Sequence, residues 1–262
     1  MSKQQKAAKK IRPLDEVLQS YRVIIHESEM FSNLKEILSQ HKDKICNIRC
    51  LAIGSFTQEF PAKYQLALLL ELIDYLLNDK ISPKVSIYDP VFNDSDLGYL
   101  DKCHPEWEVK EEVDKETFNP NSTLFFLPHA PLGLTEQILN EEKPKLFLAN
   151  NIIQHTDRYT KGELNEKYPL LSKLVYLVES KSEISQKQEI INSSSIDGFT
   201  AFVPKRKRKQ KSKYKFVEKI IDYDSIESVF TQCTITSTFD EGKLLRDQPW
   251  VNSFSDLAMH II

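Results

Sequence analysis

Three apolar runs of this chain end in residues that can do chemistry. Leu51-Ala52-Ile53 stops at Gly54-Ser55-Phe56, Val85-Ser86-Ile87-Tyr88 at Asp89-Pro90, and Leu124-Phe125-Phe126-Leu127 at Pro128-His129. A glycine at the first ending lets backbone approach a ligand closely, and a helix opening after it offers unpaired N–H groups to an anion. A carboxylate at the second ending can accept hydrogen bonds from ribose hydroxyls. The imidazole at the third can act as general base, metal ligand or hydrogen-bond donor, held by Pro128 and Pro131 on either side. Asn150, closing Leu146-Phe147-Leu148-Ala149, belongs to the same edge, and Gln65 stands one turn into the helix that follows Gly54. Gly54, Ser55, Gln65, Asp89, Pro128, His129 and Asn150 are therefore the candidate ligand pocket.

Each residue also has a plainer reading. Gly54 need only make a turn, Asp89 cap the loop before Pro90, His129 satisfy loop carbonyls, and Gln65 meet solvent. The loop from Gly54 to Phe60 holds one glycine rather than a GxGxxG set, and Asp89 follows at more than the roughly 20-residue spacing of the dinucleotide fingerprint. That argues against a dinucleotide and leaves S-adenosylmethionine or a nucleotide open as ligand. Asp89 and His129 could form an acid/base pair, but no nucleophile completes a covalent-catalysis set. No catalytic residue is assigned.

These endings meet only if the strands run parallel, because ligands of open α/β sheets bind outside the strand C-termini. The spacing supports that. Leu14 to Leu38 predicts an N-terminal helical pair, broken at Ser32-Asn33, that covers the sheet. Ile48 to Ile53 predicts the first strand, and Pro61 opens a long helix with an apolar face from Tyr64 to Leu77. Strands are expected at 85–88, weakly at 107–109, at 123–127 and at 146–149, with helices capped near Asn93 and running over 132–139. Leu170 to Val178 reads as helix then strand, 180–195 as a polar surface segment, and Val229 to Phe239 as a late antiparallel edge strand. The fold class is α/β, a Rossmann-like doubly wound and mostly parallel sheet. Residues 1–12 read as a disordered basic tail and 13–262 as one domain, with its core at 48–155 and polar or basic insertions at about 180–213.

Composition sets the outer limits. The 262 residues are 40% hydrophobic and 28% charged with a net charge of −3, as in a soluble globular protein without a strongly acidic or basic partner. Cys46, Cys50, Cys103 and Cys233 show no paired zinc spacing and read as reduced, buried thiols, with Cys46 and Cys50 on one face of a strand. His104 beside Cys103 matches no haem or metal signature, and His26, His41, His155 and His260 stand alone. The basic N-terminus lacks the apolar region of a secretory signal, and no apolar run is long enough to cross a bilayer. The expectation is a cytoplasmic protein with no membrane association. Lys205, Arg206, Lys207, Arg208 and Lys209 fit a nuclear-localisation patch, so the nucleus stays open as well. Without interleaved aromatics the run gives no sign of specific nucleic-acid recognition.

The endings taken together resemble the SRR1-like family, named for sensitivity to red light reduced. The resemblance rests on Leu51 to Phe56, Tyr64 to Leu70, Tyr88-Asp89-Pro90-Val91-Phe92, Leu124 to His129 and Ala149-Asn150-Asn151, in that order. It is closest to the fungal branch, which includes the yeast benomyl-resistance protein. Ala130 stands where the family pattern has Cys after Pro-His, and Asn150-Asn151-Ile152 replaces a glycine-containing turn. The resemblance implies a regulatory role: circadian and light responses in plants, microtubule-related stress resistance in fungi, and a link to haem metabolism in animals. It implies protein partners without naming them, and no settled enzymatic activity. The residues alone leave a second reading open, a small-molecule transferase or hydrolase using the same pocket.

Overall fold

Among the described residues, the strands are Asn47–Leu51 (β1), Lys84–Tyr88 (β2), Glu108–Val109 (β3), Thr123–Leu127 (β4), Leu146–Asn150 (β5), Thr234–Ser237 (β6) and Leu257–Ile261 (β7). The computed structural model describes residues 12–78, 82–193 and 220–262, with only the backbone of 182–193. The basic run 205–209 and residues 1–11 of the expected tail lie outside the described residues. The strands form one sheet in the order β3-β2-β1-β4-β5-β7-β6. β1 to β5 run parallel, β7 lies antiparallel to β5, and β6 lies antiparallel to β7. β1, β4 and β5 are buried along their whole length, as parallel strands covered on both faces must be.

Alternation along these strands divides the interior into two layers. Ile48, Cys50, Ile87, Leu124 and Phe126 meet the helices Leu14–His26 (α1), Glu29–Ser39 (α2) and Phe60–Leu76 (α3). Phe125, Leu127 and Phe147 meet Leu132–Glu141 (α5) and Pro169–Ser193 (α8) on the opposite face. Asp94–Cys103 (α4), Ile152–Thr156 (α6) and Lys161–Lys167 (α7) complete the helices. The expected N-terminal cover is present: Tyr21 of α1 stacks on Tyr64 of α3 at 3.8 Å, and Arg22 pairs with Glu71 at 2.7 Å.

Several local expectations hold for local reasons. Pro61 lies in the first turn of α3, where its missing N–H costs nothing. Asn93 caps α4 in a reciprocal capping box with Asp96. Others are corrected. The N-terminal helices break at Glu27-Ser28, where the Ser28 hydroxyl accepts from the Phe31 N–H at 3.1 Å. Ser32 and Asn33 lie inside α2, and the Asn33 side-chain Oδ1 accepts from the Ser237 hydroxyl at 2.8 Å. β1 stops at Leu51, two residues early, because Ala52 and Gly54 take positive φ values of 54° and 77°.

Leu170 to Val178 is helix throughout and contains no strand, and the polar segment begins as helix. α8 runs unbroken from Pro169 to Ser193, because nothing in that stretch breaks a helix and Leu171 and Leu174 bury one face. Glu136 accepts from the Leu170 and Leu171 N–H groups at 2.8 and 2.9 Å, which supplies its missing cap. The late edge strand is the shorter β6, and β7, inserted between it and β5, was not expected. The cysteines are free, but Cys46 is exposed and Cys103 only half-buried. Cys46 precedes β1, so strand alternation does not govern it.

His260, in the middle of β7, is a core residue. Its Nδ1–H donates to the Phe147 carbonyl at 3.0 Å, and Nε2 accepts from the Ile152 N–H at 3.4 Å. Full burial pushes its pKa down to about 4, against the upward pull of its backbone bonds. The unfolded chain therefore takes up a proton at about pH 6.5 that the folded chain resists until about pH 4. Stability from this residue is complete above pH 6.5 and is lost as pH falls toward 4, by about 3 kcal/mol in all. Denaturant titrations across that window should show a smaller acid-side loss in His260→Gln than in the parent chain. An equal loss in both would refute the assignment.

Candidate functional site

A doubly wound sheet needs cover on both faces, yet the connection from β3 to β4 contains no helix. Loop residues 110–122 take its place beside α5, and they cover the β1–β2 half of the sheet incompletely. The result is a cavity of about 730 Å³. It lies at the reversal of strand order between β1 and β4, the place where such sheets bind ligands. Gly54, Asp89 and His129 line its upper end at the strand C-termini, and Arg49, Glu111 and Glu142 its lower end.

The upper end is fixed by one carboxylate. Asp89 Oδ2 accepts from the Gly54 N–H at 2.8 Å, while Oδ1 accepts from the Val91 N–H at 3.0 Å. Gly54 is needed because its φ of +77° is strained for other residues, and because a Cβ there would meet Glu59 Oε2 at 3.0 Å. Asp89 thus ties the tip of β2 to the turn after β1, and its remaining lone pairs are available to a ligand. Both the capping and the ligand-facing expectations are compatible with this placement.

Four candidate residues line the cavity: Gly54, Gln65, Asp89 and His129. Gln65 does not meet solvent; it is fully buried and donates from Nε2 to the Ser253 carbonyl at 2.9 Å. Ser55, Pro128 and Asn150 are not in the cavity wall. The positive-φ turn rotates Ser55 away from the cavity, where its hydroxyl donates to Asp96 at 2.7 Å and accepts from Asn93 at 2.9 Å. It clasps the first loop to the start of α4. Pro128 is buried behind the loop that carries His129. Asn150 donates from Nδ2 to both oxygens of Asp256 at 3.0 Å.

His129 is exposed at the rim. Crowding of its ring by protein lowers its pKa, opposed by the charges of Asp256 and Glu59. Its large exposed surface keeps that effect modest. His155 shows the same pattern: burial lowers its pKa, Asp256 raises it, and Arg158 and His129 lower it. His129 therefore stays neutral at pH 7 and is able to accept a proton. Among the described residues no group of three His, Cys, Asp or Glu side chains is arranged to hold a metal ion.

Arg49 was not foreseen, although a charge inside Ile48-Arg49-Cys50-Leu51 is a signal in itself. Its guanidinium is fully buried, donating to Ser86 Oγ at 2.8 Å, to the Lys110 carbonyl at 2.9 Å and to the Glu111 carbonyl. Its Nε lies 3.5 Å from Glu142 Oε2. Burial raises the pKa of Glu142, and Arg49 lowers it in opposition. Arg49 thus fastens the loop after β3 to the sheet. Glu59, Asp89, Glu111, Glu112, Glu141 and Glu142 line the cavity against Arg49 and Lys115 as the cations. The lining is strongly acidic.

Asp89→Ala strips the acceptor from two backbone N–H groups at once. Urea denaturation should show a loss of about 1–3 kcal/mol, and unchanged stability would remove Asp89 as the fastener of the upper end. NMR titration of His129 should give a pKa below the ordinary 6.5. A reaction using it as base then holds its rate to a lower pH than an ordinary histidine would allow, and declines in acid. A midpoint at or above 6.5 would contradict this.

No curated protein and no solved structure matches the chain. A family model does: that of the SRR1 domain matches residues 28–261, from the cap of α2 to the end of β7. That span takes in every wall of the cavity and all of the core but the part that α1 and Ile262 supply, and the chain belongs to the SRR1 family.

Proposed function

We propose that this protein binds a positively charged adenosyl compound of the S-adenosylmethionine class in the cavity between Gly54 and Glu142, and that its cellular role is exercised through that ligand. The observation that carries the reading is the acidity of a ligand-sized cavity at the switch point. A polyphosphate would have to settle among six carboxylates. The start of α3, where a Rossmann-like fold would hold phosphate, has the Glu59 side chain against Gly54 instead. A sulfonium and an ammonium fit that field, while Asp89 stands where ribose hydroxyls need an acceptor. The order β3-β2-β1-β4-β5-β7-β6 with β7 reversed is also that of Rossmann-like methyltransferases, a likeness of fold that assigns no activity by itself.

His129, neutral and at the rim, is positioned to take a proton from an acceptor molecule, so transfer to a small-molecule substrate is the reaction class we favour. For the setting we propose a regulatory protein of the fungal branch, resembling the yeast benomyl-resistance protein and acting in microtubule-related or stress responses. We place it in the cytoplasm, with nuclear entry through Lys205 to Lys209.

Thermal unfolding with S-adenosylmethionine, ATP and NAD separates the alternatives. At a hundred times Kd a ligand adds about 2.7 kcal/mol, which raises the midpoint by several degrees for a chain of this size. The expected result is a rise with S-adenosylmethionine and none with ATP or NAD. A rise with ATP alone, or with none of the three, would reject the reading.

A further inference from the structure

Gln65 carries a second signal. Its side chain is fully buried in the cavity wall, and Oε1 has no hydrogen-bond partner. The orientation of the amide is determined, because Nε2 donates to the Ser253 carbonyl at 2.9 Å and only the NH2 group can do so. A buried, unsatisfied carbonyl oxygen is costly, and such atoms are rare in folded proteins. Gly54 and Glu59 line the same cavity as Gln65, and a Cβ at Gly54 would meet Glu59 Oε2 at 3.0 Å and Ala62 Cβ at 3.4 Å. Ala62 and Gln65 are three residues apart and share one face of α3.

We infer that the stretch of cavity wall carrying the free Gln65 Oε1, with the Glu59 carboxylate beside Gly54 on the same wall, is the subsite for a primary ammonium group on the ligand. An ammonium brings three donors and no acceptor, so it can satisfy the free carbonyl oxygen and the carboxylate together. A hydroxyl would satisfy only one of the two, and a phosphate would be repelled by Glu59. Gln65 is then the residue that selects an amino-acid-like end on the adenosyl compound. The assignment rests on the ligand reading proposed above, and its test is chosen to fail separately from it.

Calorimetric titration of the full chain with S-adenosylmethionine and with its desamino analogue isolates the ammonium. The intact compound should bind at least about tenfold more tightly, as a charge-assisted hydrogen bond to a buried acceptor gives. In Gln65→Met, which keeps the volume and removes the acceptor, that gap should collapse while the affinity for the desamino analogue stays unchanged. Equal binding of both compounds to the parent chain would overturn the ammonium assignment and leave the adenosyl reading standing. Binding of neither would overturn both. If Gln65→Met does not fold, the comparison on the parent chain still decides the matter.

Discussion

A single carboxylate at the tip of β2 holds the backbone N–H of a left-handed glycine at the tip of β1, and the ligand end of the cavity depends on it. Without the Asp89–Gly54 bond at 2.8 Å, the turn after β1 has no reason to keep its positive φ. Beyond that turn the first loop is held separately, by Ser55 and Thr57 on Asp96 and by Pro61 in the first turn of α3. The constraint also explains why the first loop needs only one glycine. The turn has one left-handed residue with no Cβ, and the Glu59 carboxylate beside it would repel a phosphate.

The lower end obeys a different constraint. Where the β3–β4 connection lacks a helix, the sheet face beside α5 must be sealed by loop backbone, and loop carbonyls buried there need donors. Arg49 supplies them, satisfying the Lys110 and Glu111 carbonyls from the middle of β1. A buried guanidinium in turn requires negative charge, and Glu142 provides it at the end of α5. The acidity of the cavity follows in part from this architecture. A ligand entering it meets two cations, of which Arg49 is already committed, and several carboxylates still able to accept.

What could be read from the chain follows the range of the interactions involved. The parallel strands were legible because each is a short apolar run, and Pro61 and Asn93 marked helix starts because capping acts within a few residues. The gathering of Gly54, Asp89 and His129 was legible because parallel strands bring their C-termini to one edge. The direction of Ser55 was not, since a positive φ at Gly54 cancels the alternation that places side chains along a strand. β7 escaped notice because His260 interrupts its apolar run, and only its bonds to Phe147 and Ile152 show why an imidazole can be buried there. The full length of α8 escaped because its later residues are polar. The role of Arg49 depends on residues about sixty positions away.

The central claim is that the space between the β1, β2 and β4 tips belongs to an adenosyl cation. Crystals grown with S-adenosylmethionine test it most directly. The account predicts density for the adenosyl group in the cavity, its ribose on Asp89 and its sulfonium among the carboxylates, with residues 110–115 still folded over it. A cavity filled by those loop side chains, or a ligand bound elsewhere on the molecule, would contradict it.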